Sequence, residues 1–419
     1  MKLSEICEFI IDSEHKTSPT QDSGFPYIRT PNIGRGMLKL TNVKYISEEN
    51  YKLWTKREIP RENDLILARE APLGNVAIIP KNLDVCLGQR TVLIRVRKEK
   101  ILPEFLMYLL LTDYYQMKLH SFSTGATVSH LNLKDLRELE ITNLPAIKEQ
   151  RKRSNVLTKI DRLIENNKKR IKILEEIAHM IYHEWFVKYH YPDHEEVPLG
   201  DSGTYFGKIP KGWKVSSITN NSYIQYISEN ISHYKGYKEY FATANIEGTE
   251  IIKPGELYSF CNKPSRAQKK PELYSVWFAR MKDTYKVLGF TDSSKDQLEN
   301  MVLSSGFIGL KSSKLVFPFL YYTVNSTYFH KKKDLYATGA TQVSLNNEGL
   351  SKIEILIPEK VIIVEFGKLV LPILDMNYIL YSKNKSLLKI RELMLSKVIS
   401  GQIEVQEMDI KIDEEEKDV

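Results

Sequence analysis

The chain has only three cysteines, Cys7, Cys86 and Cys261, and no two of them form a C-x-x-C pair. That scarcity speaks against a disulfide framework and against a cysteine-held zinc. No stretch reaches the roughly eighteen apolar residues of a membrane span, so no membrane partner is expected. The opening MKLSEICEF lacks the apolar core of a signal peptide, which makes a cytoplasmic protein the expectation. Catalytic equipment is missing as well. There is no G-x-x-x-x-G-K-[ST] loop to cradle phosphates. There is no Asn- or Asp-Pro-Pro-Tyr element of the kind amino-methyltransferases use. Pro192-Asp193 opens like a nuclease motif, but no acid-x-lysine follows. His179 and His183 are four apart and could share a helix face, yet the following Glu184 does not complete H-E-x-x-H. No catalytic residue and no metal ligand is therefore assigned, and no cofactor is expected in this chain.

What is present is length, positive charge and a repeat. A chain of 419 residues accommodates two or three domains. Its net charge of +7 is unevenly placed. Residues 404–419 hold eight acids and two lysines, so the body carries a surplus of +13. A basic body suggests a polyanionic partner, and the acidic tail, 403–419, reads as disordered.

Two long segments stand out, 147–187 without proline or glycine and 359–402. In 147–187 a heptad seam runs through Leu157, Ile160, Ile164, Asn167, Ile171, Leu174, Ala178 and Ile181. In 359–402 the matching seam is Leu369, Ile373, Met376, Leu380, Lys383, Leu387, Ile390 and Met394. A shift of 216 positions lays one seam on the other, and the polar Asn167 then falls on the polar Lys383. The shared register predicts two helices that pair. Pro372 is expected to start or kink the second.

Ahead of each helix lies a similar segment, 1–146 and 213–358, with 188–212 as the linker between. Tyr27-Ile28-Arg29-Thr30-Pro31-Asn32-Ile33 matches Tyr240-Phe241-Ala242-Thr243-Ala244-Asn245-Ile246. Thr124-Gly125-Ala126-Thr127 with Leu131-Asn132 matches Thr338-Gly339-Ala340-Thr341 with Leu345-Asn346. The T-G-A-T element reads as a structural turn. Strands are expected at 64–69, 91–97, 274–279 and 306–310, and helices at 103–118 and 316–330. The fold class is α+β: two similar globular α/β domains and two long helices forming a coiled coil.

This pattern resembles the DNA-specificity subunit of type I restriction-modification systems. Glu149-Gln150-Arg151 and the Ile209-Pro210-Lys211-Gly212-Trp213 entry to the second half are also similar to that family. The chain departs from it at 359–365, where the proline-rich, Glu-Gln-containing helix entry is lost. The resemblance implies a target-recognition domain in each copy, each reading one half of a split site on double-stranded DNA. The helices would run antiparallel, hold the copies apart as a ruler and dock two modification (methyltransferase) subunits. S-adenosylmethionine would be used in those subunits, and ATP and magnesium in added restriction subunits. A separate recognition subunit of a related type II system, a stand-alone nucleic-acid enzyme and a coiled-coil scaffold remain alternatives.

The repeat also sorts candidate DNA contacts. Two readers of different words share residues that hold fold or phosphate and differ where they read bases. Arg69 and Arg280 match, which suits scaffolding or phosphate contact. Arg29 stands opposite Ala242, and Arg90 opposite Gly306, so both are base-reading candidates. In the second copy Lys235, Lys238, Lys263, Arg266, Lys269 and Lys270 form basic loops with Tyr234 and Tyr237 among them.

Overall fold

The computed structural model describes residues 1–14, 16–124, 130–339 and 342–405. Most of the T-G-A-T element of the first copy, the last two residues of its counterpart, and nearly all of the acidic tail lie outside the described residues. The chain divides into two compact units, Met1–Glu165 with 385–419, and Asn166–Asn384. Each long helix contributes one half to each unit. The central helix is Ile147–Phe186 and the distal helix Lys360–Ser400.

In the first unit, four antiparallel strands run in the order Cys7–Asp12, Thr91–Val96, Leu65–Ala68, Val76–Ile78. Leu65–Ala68 is buried at every position, as its continuous apolar run requires. A second sheet places Phe25–Ile28 antiparallel to Lys44–Ile46 and parallel to Cys86–Leu87.

The second unit repeats this order. Gln225–Ile227, Phe307–Lys311, Ser275–Ala279 and Val287–Gly289 form the four-stranded antiparallel sheet. Lys238–Phe241 is antiparallel to Glu256–Tyr258 and parallel to Met301–Ser304, with Ala267–Lys269 added at the edge. Small polar details repeat too. Asn32 Oδ1 accepts from Arg29 N at 3.1 Å, and Asn245 Oδ1 accepts from Ala242 N at 2.9 Å. The pairing expected from the sequence repeat is thus a repeat of topology.

Each expected amphipathic helix of the lobes is two shorter ones. Pro103–Leu111 and Asp113–Ser121 meet at Thr112, and Phe317–Val324 and Thr327–Leu335 flank Ser326. Thr112 Oγ1 donates to Leu109 O and Ser326 Oγ to Thr323 O, both at 2.7 Å. A hydroxyl that bonds local backbone competes with the helix, so the apolar run breaks there.

The long helices pair antiparallel within each unit. In the first unit Arg153 donates to Ile399 O at 2.9 Å, and Asp161 meets Arg391 at 2.6 Å. In the second, Asn167 donates to Asn384 at 2.8 Å, and Phe186 packs on Phe366 with ring centroids 4.9 Å apart. The pair also enters the core of each lobe. Leu157, Leu395 and Ile399 belong to the first lobe's main cluster, while Ala178, Phe186, Ile363, Phe366 and Val370 belong to a cluster of the second unit. Gln150 is fully buried and ties the central helix to the first lobe, accepting from Leu102 N and donating to Lys100 O and Pro145 O.

On the central helix Leu157, Ile164, Ile171 and Ala178 are buried, and Ile160, Asn167, Leu174 and Ile181 half-buried. The distal helix needs a correction. Ile373, Leu380, Leu387 and Met394 face inward, but Leu369, Met376, Lys383 and Ile390 are exposed. Their inward neighbours are Val370, Asn377, Asn384 and Arg391. The three- and four-residue steps alternate in the opposite order to that read from the sequence. Three of the four true seam positions are polar, so hydrophobicity pointed one residue off. Pro372 lies inside the distal helix and does not start it.

Candidate nucleic-acid interface

Both lobes build the same junction beside the four-stranded sheet. Arg69 N donates to Arg90 O at 2.9 Å, and Arg280 N to Gly306 O at 3.0 Å. Leu131 N donates to Arg69 O, and Leu345 N to Arg280 O. The guanidinium Nε of Arg69 donates to Leu131 O at 2.8 Å, and that of Arg280 to Leu345 O at 2.9 Å. Each arginine therefore clamps the segment following the T-G-A-T element to a sheet strand. Arg69 is buried, and Asp12 lies 3.7 Å from its Nη1. Burial pushes its pKa down, and Asp12 and Glu70 oppose this. Of the two expected roles, this burial and these bonds suit scaffolding.

Arg29 and Arg90 are exposed. Gly88, in the turn that leads to Arg90, leaves no space for a Cβ, which would stand 2.8 Å from Arg29 Cγ. The two candidates thus flank one close-packed turn. Arg90 Nε lies 2.6 Å from Oε1 of Glu70, a buried carboxylate. The same oxygen is 3.5 Å from Nδ1 of His130, and His130 Nε2 is 2.6 Å from Arg69 Nη2. Sequence reading singled out neither Glu70 nor His130. Comparing them with Met281 and Ser344, the residues at the matching places, would have marked them as differing.

The second lobe carries its basic residues elsewhere. Lys235, Arg266 and Lys270 are exposed. Lys238 donates to the Glu299 carbonyl, Lys263 to Ala267 O at 2.7 Å, and Lys269 to Asn230 Oδ1 at 2.9 Å. Burial lowers the pKa of Lys238 and Lys269, and the nearby charges of Lys270 and Arg280 respectively add to the effect. The fold therefore brings Lys238 to Lys270 and Lys269 to Arg280. Aromatic rings sit among them, with Lys238 5.5 Å from the Tyr234 ring centroid and Tyr237 exposed. Clustered basic side chains suit a polyanion. Among the described residues no group of three or more His, Cys, Asp or Glu is arranged to hold a metal, and no helix is long and apolar enough to cross a membrane.

Residues 1–176 match the family described as type I restriction modification DNA specificity domain. Through those residues the chain is similar to the type I DNA-specificity family. The similarity extends past that segment. The type I restriction enzyme MjaIX specificity subunit of Methanocaldococcus jannaschii is 28% identical over 405 residues, covering 93% of this chain and 87% of that protein. The type I restriction enzyme HindI specificity subunit of Haemophilus influenzae is 23% identical, covering 82% and 87%. The crystal structure of a type I restriction-modification S subunit from M. genitalium shares the fold, with a TM-score of 0.58 over 95% of each chain at 14% identity. Beyond the matched residues, the second lobe repeats the sheet order of the first.

Proposed function

We propose that this chain is the non-catalytic, sequence-reading subunit of a type I restriction-modification complex. Each lobe reads one half of a split, asymmetric site on double-stranded DNA. The long helices dock modification (methyltransferase) subunits, two per chain, and restriction subunits join that assembly in the cytoplasm. S-adenosylmethionine serves in the modification subunits, and ATP with magnesium in the restriction subunits.

One observation supports this reading above the others: the duplicated lobe. Both copies keep the Arg69 and Arg280 clamps, yet their exposed cations differ, with Arg29 and Arg90 in one and a lysine-rich group in the other. Common scaffolds with unlike exposed cations suit two readers of two different words.

The test is binding of duplex DNA by the chain together with its modification subunit at moderate salt. Tight binding to genomic fragments that carry one bipartite sequence, and weak binding to scrambled duplex, is the expected result. Equal affinity for all duplexes, with the usual steep salt dependence of phosphate contacts, would refute sequence reading.

A further inference from the structure

The geometry points to Glu70 as a positioning residue that aims Arg90 at a guanine in the half-site of the first lobe. This rests on the reading of the chain as a DNA reader and deepens it.

The first support is the manner of contact. Glu70 holds Arg90 at Nε, 2.6 Å away, the guanidinium nitrogen that joins the stem. The side chain of Arg90 is 60% exposed, while that of Glu70 is 7% exposed. A buried carboxylate thus grips the stem side of the fork, and the two-pronged end stays presentable. Two parallel N–H donors are what the O6 and N7 acceptors of guanine require in the major groove. An arginine already held loses less freedom when it binds.

The second support is the bracing behind the carboxylate. Arg69 can only donate, so His130 Nε2 accepts at 2.6 Å and the ring hydrogen sits on Nδ1, facing Glu70 Oε1 at 3.5 Å. Arg69 is itself fixed to Leu131 O. The line Arg69, His130, Glu70, Arg90 therefore runs from the scaffold clamp to an exposed cation.

The third support comes from the repeat. The second lobe keeps the clamp and its backbone bonds through Arg280, Gly306 and Leu345. At the places of Glu70, Arg90 and His130 it has Met281, Gly306 and Ser344. The three polar residues are lost together while the fold persists, so the trio is not needed to build a lobe. Arg90 also holds a left-handed backbone, φ +66°, which glycine adopts without strain. An arginine kept in that setting argues that its side chain is needed.

The experiment uses the whole complex in cells, with genomic DNA as the probe. Methylated motifs are mapped for the wild type and for Glu70→Gln, Glu70→Met, Arg90→Gly and the Glu70→Met/Arg90→Gly double. The double brings in two of the three residues with which the second lobe already folds, those at the places of Met281 and Gly306. The expected result is relaxation of one G·C pair in one half of the motif, the same pair in every variant, with the other half read as before. Discrimination at that pair should fall by about tenfold to a hundredfold. The double should be no worse than Arg90→Gly, because the two residues act as one unit.

If Arg90→Gly leaves the motif intact, Arg90 reads no base and the assignment falls. If Arg90→Gly relaxes a pair and both Glu70 variants leave it strict, Glu70 does not position Arg90. Weaker methylation at every site with an unchanged motif, or silence in the single and double variants alike, would make the trio structural and overturn the assignment. A wild type with no motif that depends on this chain would sink the parent reading, and the assignment with it.

Discussion

Arg391 of the distal helix donates through Nε to Asp161 Oδ1 of the central helix at 2.6 Å, and its side chain is only 2% exposed. Tyr108 OH donates to the other Asp161 oxygen at 2.7 Å, and Arg391 Nη2 donates to Arg35 O at 2.8 Å. The first lobe and both helices of the first unit therefore share one buried polar network. Gly36 permits it, because a Cβ there would stand 2.6 Å from Arg391 Nη2.

Removing Asp161 leaves Arg391 with only the half-exposed Glu392, whose Oε1 lies 2.8 Å from its Nη1. Asp161→Ala is expected to lower the stability of the first unit by about 2–3 kcal/mol, less than for a fully unpaired buried charge. Replacing both, as Asp161→Leu/Arg391→Met, should cost clearly less, because no buried charge is left unpaired. Urea unfolding of the full chain, read by hydrogen exchange in the first unit, compares the two. Equal losses would show that the network is not a coupled pair.

Asn377 offers the opposite case. It is buried on the inward face of the distal helix, and neither its Nδ2 nor its Oδ1 has a hydrogen-bond partner. Asn377→Leu should raise the stability of the second unit by about 1–3 kcal/mol, the usual cost of an unmade buried bond. A lower urea midpoint for the variant would contradict this.

His330 makes the second unit acid-sensitive. Its ring packs against Tyr285, and its Nδ1 is buried without a partner. Burial, with Lys333 adding, pushes its pKa from 6.5 down to about 4, against the opposing pull of Asp334. The unfolded chain takes up this proton near pH 6.5, and the folded chain resists it until about pH 4. The histidine's contribution is thus whole above pH 6.5 and is lost as pH falls toward 4. His330→Gln should flatten the decline of melting temperature between pH 7 and 4.5. Parallel curves for variant and wild type would remove His330 from the account.

The repeat was legible because it is written in apolar strands and in shared residues such as Asn32 and Asn245. The central helix was legible because Leu157, Ile164, Ile171 and Ala178 keep one apolar face. The distal seam was half legible. Ile373, Leu380, Leu387 and Met394 are apolar and inward, but Asn377, Asn384 and Arg391 are inward and polar, while Leu369, Met376 and Ile390 are apolar and exposed. Periodicity reports hydrophobicity, not contact, and here the two part. The polar layer was expected at Lys383 and stands at Asn384, bonded to Asn167. Arg90 was found by its mismatch with Gly306. Glu70 was missed because its partnership with Arg90 crosses twenty residues and exists only once the strands pair.

The most direct measurement is a map of methylated adenines in host DNA with and without this chain. Two lobes that read two words predict the loss of one bipartite motif, two short sequences at a fixed spacing, when the chain is removed. An unchanged map, or the loss of a single uninterrupted motif, would contradict the account.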